Sequence, residues 1–254
     1  MLMEPTILLV NDDGVHAPAI KLLQNVLSDI GNVYIVAPDR DKSGASHSLT
    51  LSSPLHFMKL AENIISVQGT PADCVHLAAT GLLPSKPDIC ISGVNMGANL
   101  GSDILYSGTV AAAFEAITCN IPALAFSITE SNPQHLNDAV DYVVATVLRY
   151  LANPLPTDIM LNINIPDLPA ASVKGSQATR LGRRAPSSPA IKYQSTRGHN
   201  CYWVGEPGVP DLTEENTDFS AIEQGCISVT PLQIDMTRHE AIAEINNWLN
   251  GKQS

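Results

Sequence analysis

At 254 residues, 44% of them hydrophobic and 15% charged, the chain has enough apolar material for one large core or two small ones. Its formal net charge of −11 argues against a general nucleic-acid binder, because phosphate backbones are held by excess Lys and Arg. A small anionic substrate stays open, since a metal ion can supply local positive charge.

The N-terminus runs almost directly into the apolar strand Ile7–Val10, without the basic start and longer apolar run of a signal peptide. No apolar run is long enough to cross a bilayer, so a cytoplasmic protein with no membrane partner is expected. The five cysteines, Cys74, Cys90, Cys119, Cys201 and Cys226, are odd in number and widely spaced. That spacing argues against a zinc site or a disulfide framework and for free thiols.

After the first strand, Leu23, Val26, Leu27 and Ile30 recur at helical spacing, predicting a helix over Ala19–Ile30 with Pro18 at its start and Gly31 as its stop. Val33–Ala37 reads as the next strand. Thr70-Pro71-Ala72-Asp73 is a variant capping box, opening a helix through Ala79. Ile89–Ser92 is a strand, Ser107 caps a small-residue helix from Gly108 to about Thr118, and Pro122–Ser127 is another strand. Leu136, Val140, Val143, Val147 and Leu151 form a helical stripe, and Met160–Ile165 closes the series. The alternation predicts an α/β, Rossmann-like, doubly wound and mostly parallel sheet.

The expected organisation is a single domain over 1–254, with a core at 1–170 and an extension at 171–254. In the extension, Arg180–Gly198 is a polar stretch, and Tyr202–Val204 and Cys226–Thr230 are short strand-like runs. Thr237–Glu240 reads as a capping box opening a last helix with Ala241, Ile242, Ile245, Trp248 and Leu249 on one side. A C-terminal β-hairpin and terminal helix are therefore predicted, packing on the core or on a neighbouring subunit.

In doubly wound folds the ligand lies outside the carboxyl ends of the strands. Three polar clusters follow predicted strands. Asn11-Asp12-Asp13-Gly14 places two adjacent carboxylates at the end of a buried strand, where each favours a proton or a cation. Hard divalent cations take such oxygen donors. The same four residues are sound turn chemistry, and taken alone the turn is the stronger reading; the place in the fold tips it towards a site. Pro38–Ser48 offers hydroxyls, backbone amides near Gly44, and the cations Arg40 and Lys42, which suit a phosphate; by composition alone it is a solvated Ser-rich loop. Ser92–Asp103 repeats Gly at 93, 97 and 101 and Asn at 95 and 99, so backbone amides can approach a ligand. The Asn95 carbonyl suits a hard cation, and Ser107-Gly108-Thr109 opens a helix whose N-terminus is an anion site. The histidines are scattered: His76 reads as structural, and His16 and His47 lie near the clusters without a catalytic assignment.

The same segments resemble the SurE family, the survival-protein 5′-nucleotidases. The likeness is carried by Asn11–Pro18, Ala37–Arg40 with Ser43–Ser46, Gly69–Val75, and Ser92–Asn95 through Tyr106–Val110. It continues in Asn162–Pro166, Thr217–Phe219 and Ser228–Leu232, nearly the whole chain. Ala19 stands where Gly is expected and Ala98 where Pro is common, neither at a ligand position. The resemblance implies a Rossmann-like core, one divalent metal per subunit (Mg²⁺ or Mn²⁺), and hydrolysis of nucleoside 5′-monophosphates by a cytoplasmic oligomer, a homodimer or homotetramer. It implies metal ligands at Asp12, Asp13, Ser43 and Asn95. On that reading Gly44, Asn99, Ser107, Gly108 and Thr109 receive the phosphate, and Asp12 doubles as general base. Two rivals remain. One is an aspartyl-phosphate on Asp12, which adjacent rather than alternate carboxylates disfavour; the other is a nucleotide sensor without turnover. A nucleic-acid polymer is not an expected partner.

Overall fold

The computed structural model describes residues 4–251. In chain order the first half runs β1 (Thr6–Val10), α1 (Pro18–Leu27), β2 (Asn32–Pro38), β3 (Phe57–Ala61), β4 (Ile64–Val67), α2 (Pro71–Leu77) and β5 (Ile89–Met96). It continues with α3 (Gly108–Thr118), β6 (Ala123–Ile128), α4 (Leu136–Ala152) and β7 (Met160–Ile165). The extension adds β8 (Ser176–Ala178), β9 (Ile191–Gln194), β10 (Asn200–Trp203), α5 (Asp218–Glu223), β11 (Ile227–Leu232) and α6 (Ile242–Leu249).

Nine strands form one sheet in the order β3-β4-β2-β1-β5-β6-β7-β11-β8. The six from β4 to β7 are parallel, as the α/β alternation predicts. Successive side chains of a strand point to opposite faces. Ile7 and Leu9 of β1 therefore join α1 and α4 in one core layer, while Leu8 and Val10 join α2 and α3 in the other. A strand buried on both faces reads as an unbroken apolar run, which is why β1 was legible.

The chain lays β2 and β4 on one side of β1, then crosses over to lay β5, β6 and β7 on the other. The switch point falls between β1 and β5, with Val10 opposite Ser92. Both strands release their polar loops there, on the edge where ligands bind in such sheets.

The Thr70–Asp73 capping box forms with both arms, and Ser107 caps α3 through the Val110 amide at 3.1 Å. The first helix ends at Leu27, short of the expected Ile30, because the chain turns there: the Ile30 and Gly31 amides both donate to the Leu27 carbonyl. In the extension, β11 leaves the expected hairpin region and joins the main sheet antiparallel to β7, with β8 at its outer edge. Among the described residues, β9 and β10 alone form a separate hairpin. The expected Thr237 capping box does not form. The Thr237 amide donates to Asp235 at 2.8 Å, and α6 starts at Ile242 with no side-chain cap. Asp235 outcompetes Glu240 because its carboxylate lies two residues away, within reach of a simple turn. The apolar stripe of α6 and the faces of the hairpin stay exposed in the single chain.

Candidate active site

The turn and site readings of Asn-Asp-Asp-Gly are both realised, by different residues. Asn11 closes the turn, its amide nitrogen donating to the Gly14 carbonyl (3.1 Å) and its oxygen accepting from the Gly14 amide (3.2 Å). Gly14 adopts φ +100°, a left-handed backbone that favours glycine. The turn is thus complete without Asp12 and Asp13. Asp12 is 4% exposed, and its Oδ1 accepts from the Thr109 hydroxyl at 2.6 Å. Asp13 is half-buried and has no side-chain hydrogen bond among the described residues. Neither carboxylate is in an ion pair with a described cationic side chain.

The electrostatics follow. Burial raises the Asp12 carboxyl above its ordinary value, opposed chiefly by the Thr109 hydroxyl. Burial, then the charges of Asp12 and Asp41, push Asp13 up to about 6. The mouth of the switch point thus carries two acidic side chains that no cation among the described residues pairs with.

The loop after β2 wraps this pair. The Lys42 amide donates to the Asp12 carbonyl (2.8 Å) and the Val15 amide to the Pro38 carbonyl (2.8 Å). Ser43 follows at the exposed rim, its hydroxyl donating to Asp41 Oδ1 at 2.6 Å. With its proton committed to Asp41, the hydroxyl oxygen keeps lone pairs available as an acceptor or ligand. Gly44, at φ +74°, is open to solvent.

The end of β5 and the loop after it close the other side; the strand runs on to Met96, past the expected end at Ser92, with an irregular register between Ser92 and Asn95. Gly93 has φ +117°, and a Cβ there would run into the Phe126 carbonyl. The Asn95 amide nitrogen donates to the Gly97 carbonyl at 2.8 Å, leaving Oδ1 as its free end. Asn99 is buried in a network: its amide nitrogen donates to Ser127 (2.7 Å), and Asn162 and Asn164 both donate to its carbonyl (2.9 and 3.0 Å). At the start of α3, Gly108 lies against Asp12: a Cβ added to it would sit 2.7 Å from the Asp12 Cβ. The Thr109 hydroxyl is spent on Asp12, so what the α3 start can offer an anion is its first-turn backbone amides.

Three oxygen-bearing loops converging on one strand-end crevice can be compared with known proteins. Residues 7–188 match the family model described as Survival protein SurE. The chain belongs to the SurE family. The 5′-nucleotidase SurE of Legionella pneumophila (strain Lens) is 50% identical to it, over 96% of this chain and 97% of the relative. The 5′-nucleotidase SurE of Vibrio cholerae serotype O1 (strain El Tor Inaba N16961) is 49% identical, over 97% and 98%. The crystal structure of the SurE protein from Aquifex aeolicus superposes with a TM-score of 0.86 at 41% identity, covering 97% of this chain and 100% of that one.

In this SurE chain several residues support the site in roles that the sequence reading did not assign them. Thr109, expected at the phosphate, instead spends its hydroxyl on Asp12, 97 positions away. Asp218, fully buried, accepts from the amides of Gly101 (2.7 Å) and Gly182 (2.8 Å) and so pins the glycine loop to the extension. Asn162 and Asn164 carry a usable signal: polar residues at i and i+2 in a buried strand share one face and need partners. A separate cluster, His76, Glu115 and Cys119, brings its donor atoms within 4.8 Å of one another.

Proposed function

We propose that this SurE protein hydrolyses nucleoside 5′-monophosphates to nucleoside and phosphate, using one divalent cation per subunit, Mg²⁺ or Mn²⁺. The observation that carries the reading is the pairing of buried Asp12 with half-buried Asp13 at the switch point, with raised proton affinity and no ion-paired cation among the described residues. The names of the relatives support the reaction. The donor set fits a hard cation: two carboxylates, the hydroxyl oxygen of Ser43 and the free Oδ1 of Asn95 are all oxygen. When bound, the cation would supply positive charge to phosphoryl oxygens and acidity to a water.

The chain's own residues do the rest. Asn11 and Gly14 fix the turn so that Asp12 and Asp13 project together. The Thr109 hydroxyl fixes Asp12 Oδ1, and Oδ2 lies against Gly108 at the α3 start. We assign the proton-accepting role to Asp12. Backbone amides of Gly108 and Thr109 face the substrate phosphate, and the Gly44 segment and Asn99 border it. The network under Asn99 makes the glycine loop rigid, so little ordering remains to be done on binding.

Chain 1–254 acts as one domain, because β8 and β11 of the extension complete the core sheet. The bare apolar faces of the β9–β10 hairpin and of α6, with Trp203 67% and Trp248 73% exposed, support a homodimer or homotetramer. Five unpaired cysteines support a cytoplasmic location. No helix among the described residues is long and apolar enough to cross a membrane.

The test is phosphate release from nucleoside monophosphates with and without Mg²⁺ or Mn²⁺. Chelation should abolish turnover and either ion restore it, and Asp12→Asn should lose roughly 100-fold or more with its fold intact. Near-normal turnover of Asp12→Asn with saturating metal sinks the assignment.

A further inference from the structure

Glu115 is 3% exposed, two turns along α3 from the active-site glycine, and no Lys or Arg among the described residues pairs with it. It is held between two imidazoles. His47 Nε2 lies 2.9 Å from Oε2, and His76 Nδ1, from α2, lies 2.8 Å from Oε1. Burial pushes the Glu115 carboxyl up, but the hydrogen bonds of His47 and His76 outweigh it and hold the group below its ordinary value. One turn further on, the Cys119 thiol lies 3.8 Å from the same Oε1. Nitrogen, oxygen and sulfur donors from two packed helices thus converge. Nothing in the proposed hydrolysis uses them.

We propose that His76, Glu115 and Cys119 form a second metal site, taking a borderline-soft divalent cation such as Zn²⁺ or Co²⁺ with water as fourth ligand. The donor types decide the class of ion. Imidazole and thiolate favour Zn²⁺ and its neighbours over Mg²⁺, the reverse of the all-oxygen set at Asp12. Ligand bonds of about 2.0–2.3 Å arranged tetrahedrally separate the donor atoms by roughly 3.3–3.7 Å. The thiol, 3.8 Å from Oε1, lies just outside that range, and the exposed His76 ring, 2.8 Å from Oε1, needs to withdraw by about half an ångström. Cys119 is the C-cap of α3, where the helix dipole favours a cation. Glu115 would ligate through Oε1 alone, because His47 holds Oε2; that hydrogen bond orients the carboxylate. Binding releases the Cys119 thiol proton to solvent and leaves the thiolate on the ion. No ligand spacing is visible along the chain because His76 and Glu115 stand 39 positions apart and meet only where α2 packs on α3.

The site is tested by titrating the reduced full-length protein with Co²⁺ in excess Mg²⁺, which occupies the oxygen site. The expected result is a near-ultraviolet thiolate-to-cobalt band at one ion per chain, bleached by Zn²⁺. The band should vanish in Cys119→Ser and in His76→Ala, and persist in Cys201→Ser and in Asp12→Asn. His76→Ala, at an exposed ring, keeps the test decisive if Cys119→Ser folds poorly. Absence of the band in the parent protein, or its survival in either of the first two variants, overturns the proposal. Because Asp12→Asn retains the band, failure of the nucleotidase reading and failure of this one are separable.

Discussion

Thr109→Val isolates the contact that positions Asp12. The change keeps the shape of the side chain and removes the hydroxyl donor 2.6 Å from Asp12 Oδ1. Thr109 is 0% exposed, so water has no ready path to replace the donor. A hydrogen bond to a charged group contributes about 1.5–3 kcal/mol. Its loss raises the Asp12 carboxyl further above its ordinary value. The sign follows from linkage. Asp12 already has a folded-state value above its unfolded one, so its contribution to stability is fully present below the unfolded value and is lost as pH rises through the folded value. Raising the folded value further puts the added loss on the alkaline side. Urea denaturation in chelator should therefore find Thr109→Val less stable than the parent by about 1.5–3 kcal/mol near pH 8, and by clearly less near pH 5. Equal destabilisation at both pH values, or none, would refute the placing of this hydroxyl on an ionised Asp12.

Gly108→Ala asks about the same contact from the helix side. An exposed helical Gly→Ala change usually gains up to about 1 kcal/mol, but here the new Cβ meets Asp12 at 2.7 Å and Pro71 at 3.1 Å. A loss of about 1–3 kcal/mol in urea denaturation and weaker Mg²⁺ binding by calorimetry are expected; a stabilised variant contradicts the close approach. Because Asp13 is pushed up to about 6, cation binding near that pH should expel protons, and affinity should fall as the medium is acidified. Calorimetry in two buffers of different ionisation enthalpy measures the release, which Asp13→Asn should reduce. Trp203→Glu and Trp248→Glu, on the exposed hairpin and α6, should lower the molar mass seen by light scattering without loss of fold.

The sequence by itself determined the alternation of strands and helices, because buried parallel strands read as apolar runs and helices as 3.6-residue stripes. It also determined the Thr70 and Ser107 caps, where the partners lie within three residues; it placed Asp12, Asp13 and Asn95 in polar clusters after predicted strands, while Ser43 was singled out by the family resemblance. β3 escaped because all its residues are exposed and leave no burial pattern. The Thr237 box misled because a nearer carboxylate, Asp235, took the amide. Only the tertiary structure decided that β1 lies between β2 and β5, that β11 completes the sheet, that Thr109 restrains Asp12, and that His76 meets Glu115. Local sterics and short-range hydrogen bonds write caps and turns into neighbouring letters. Sheet order and cross-layer contacts join residues tens of positions apart, and the packing of the whole core selects them. The acidic pair was therefore visible in the sequence, and its burial with no ion-paired cation among the described residues was not.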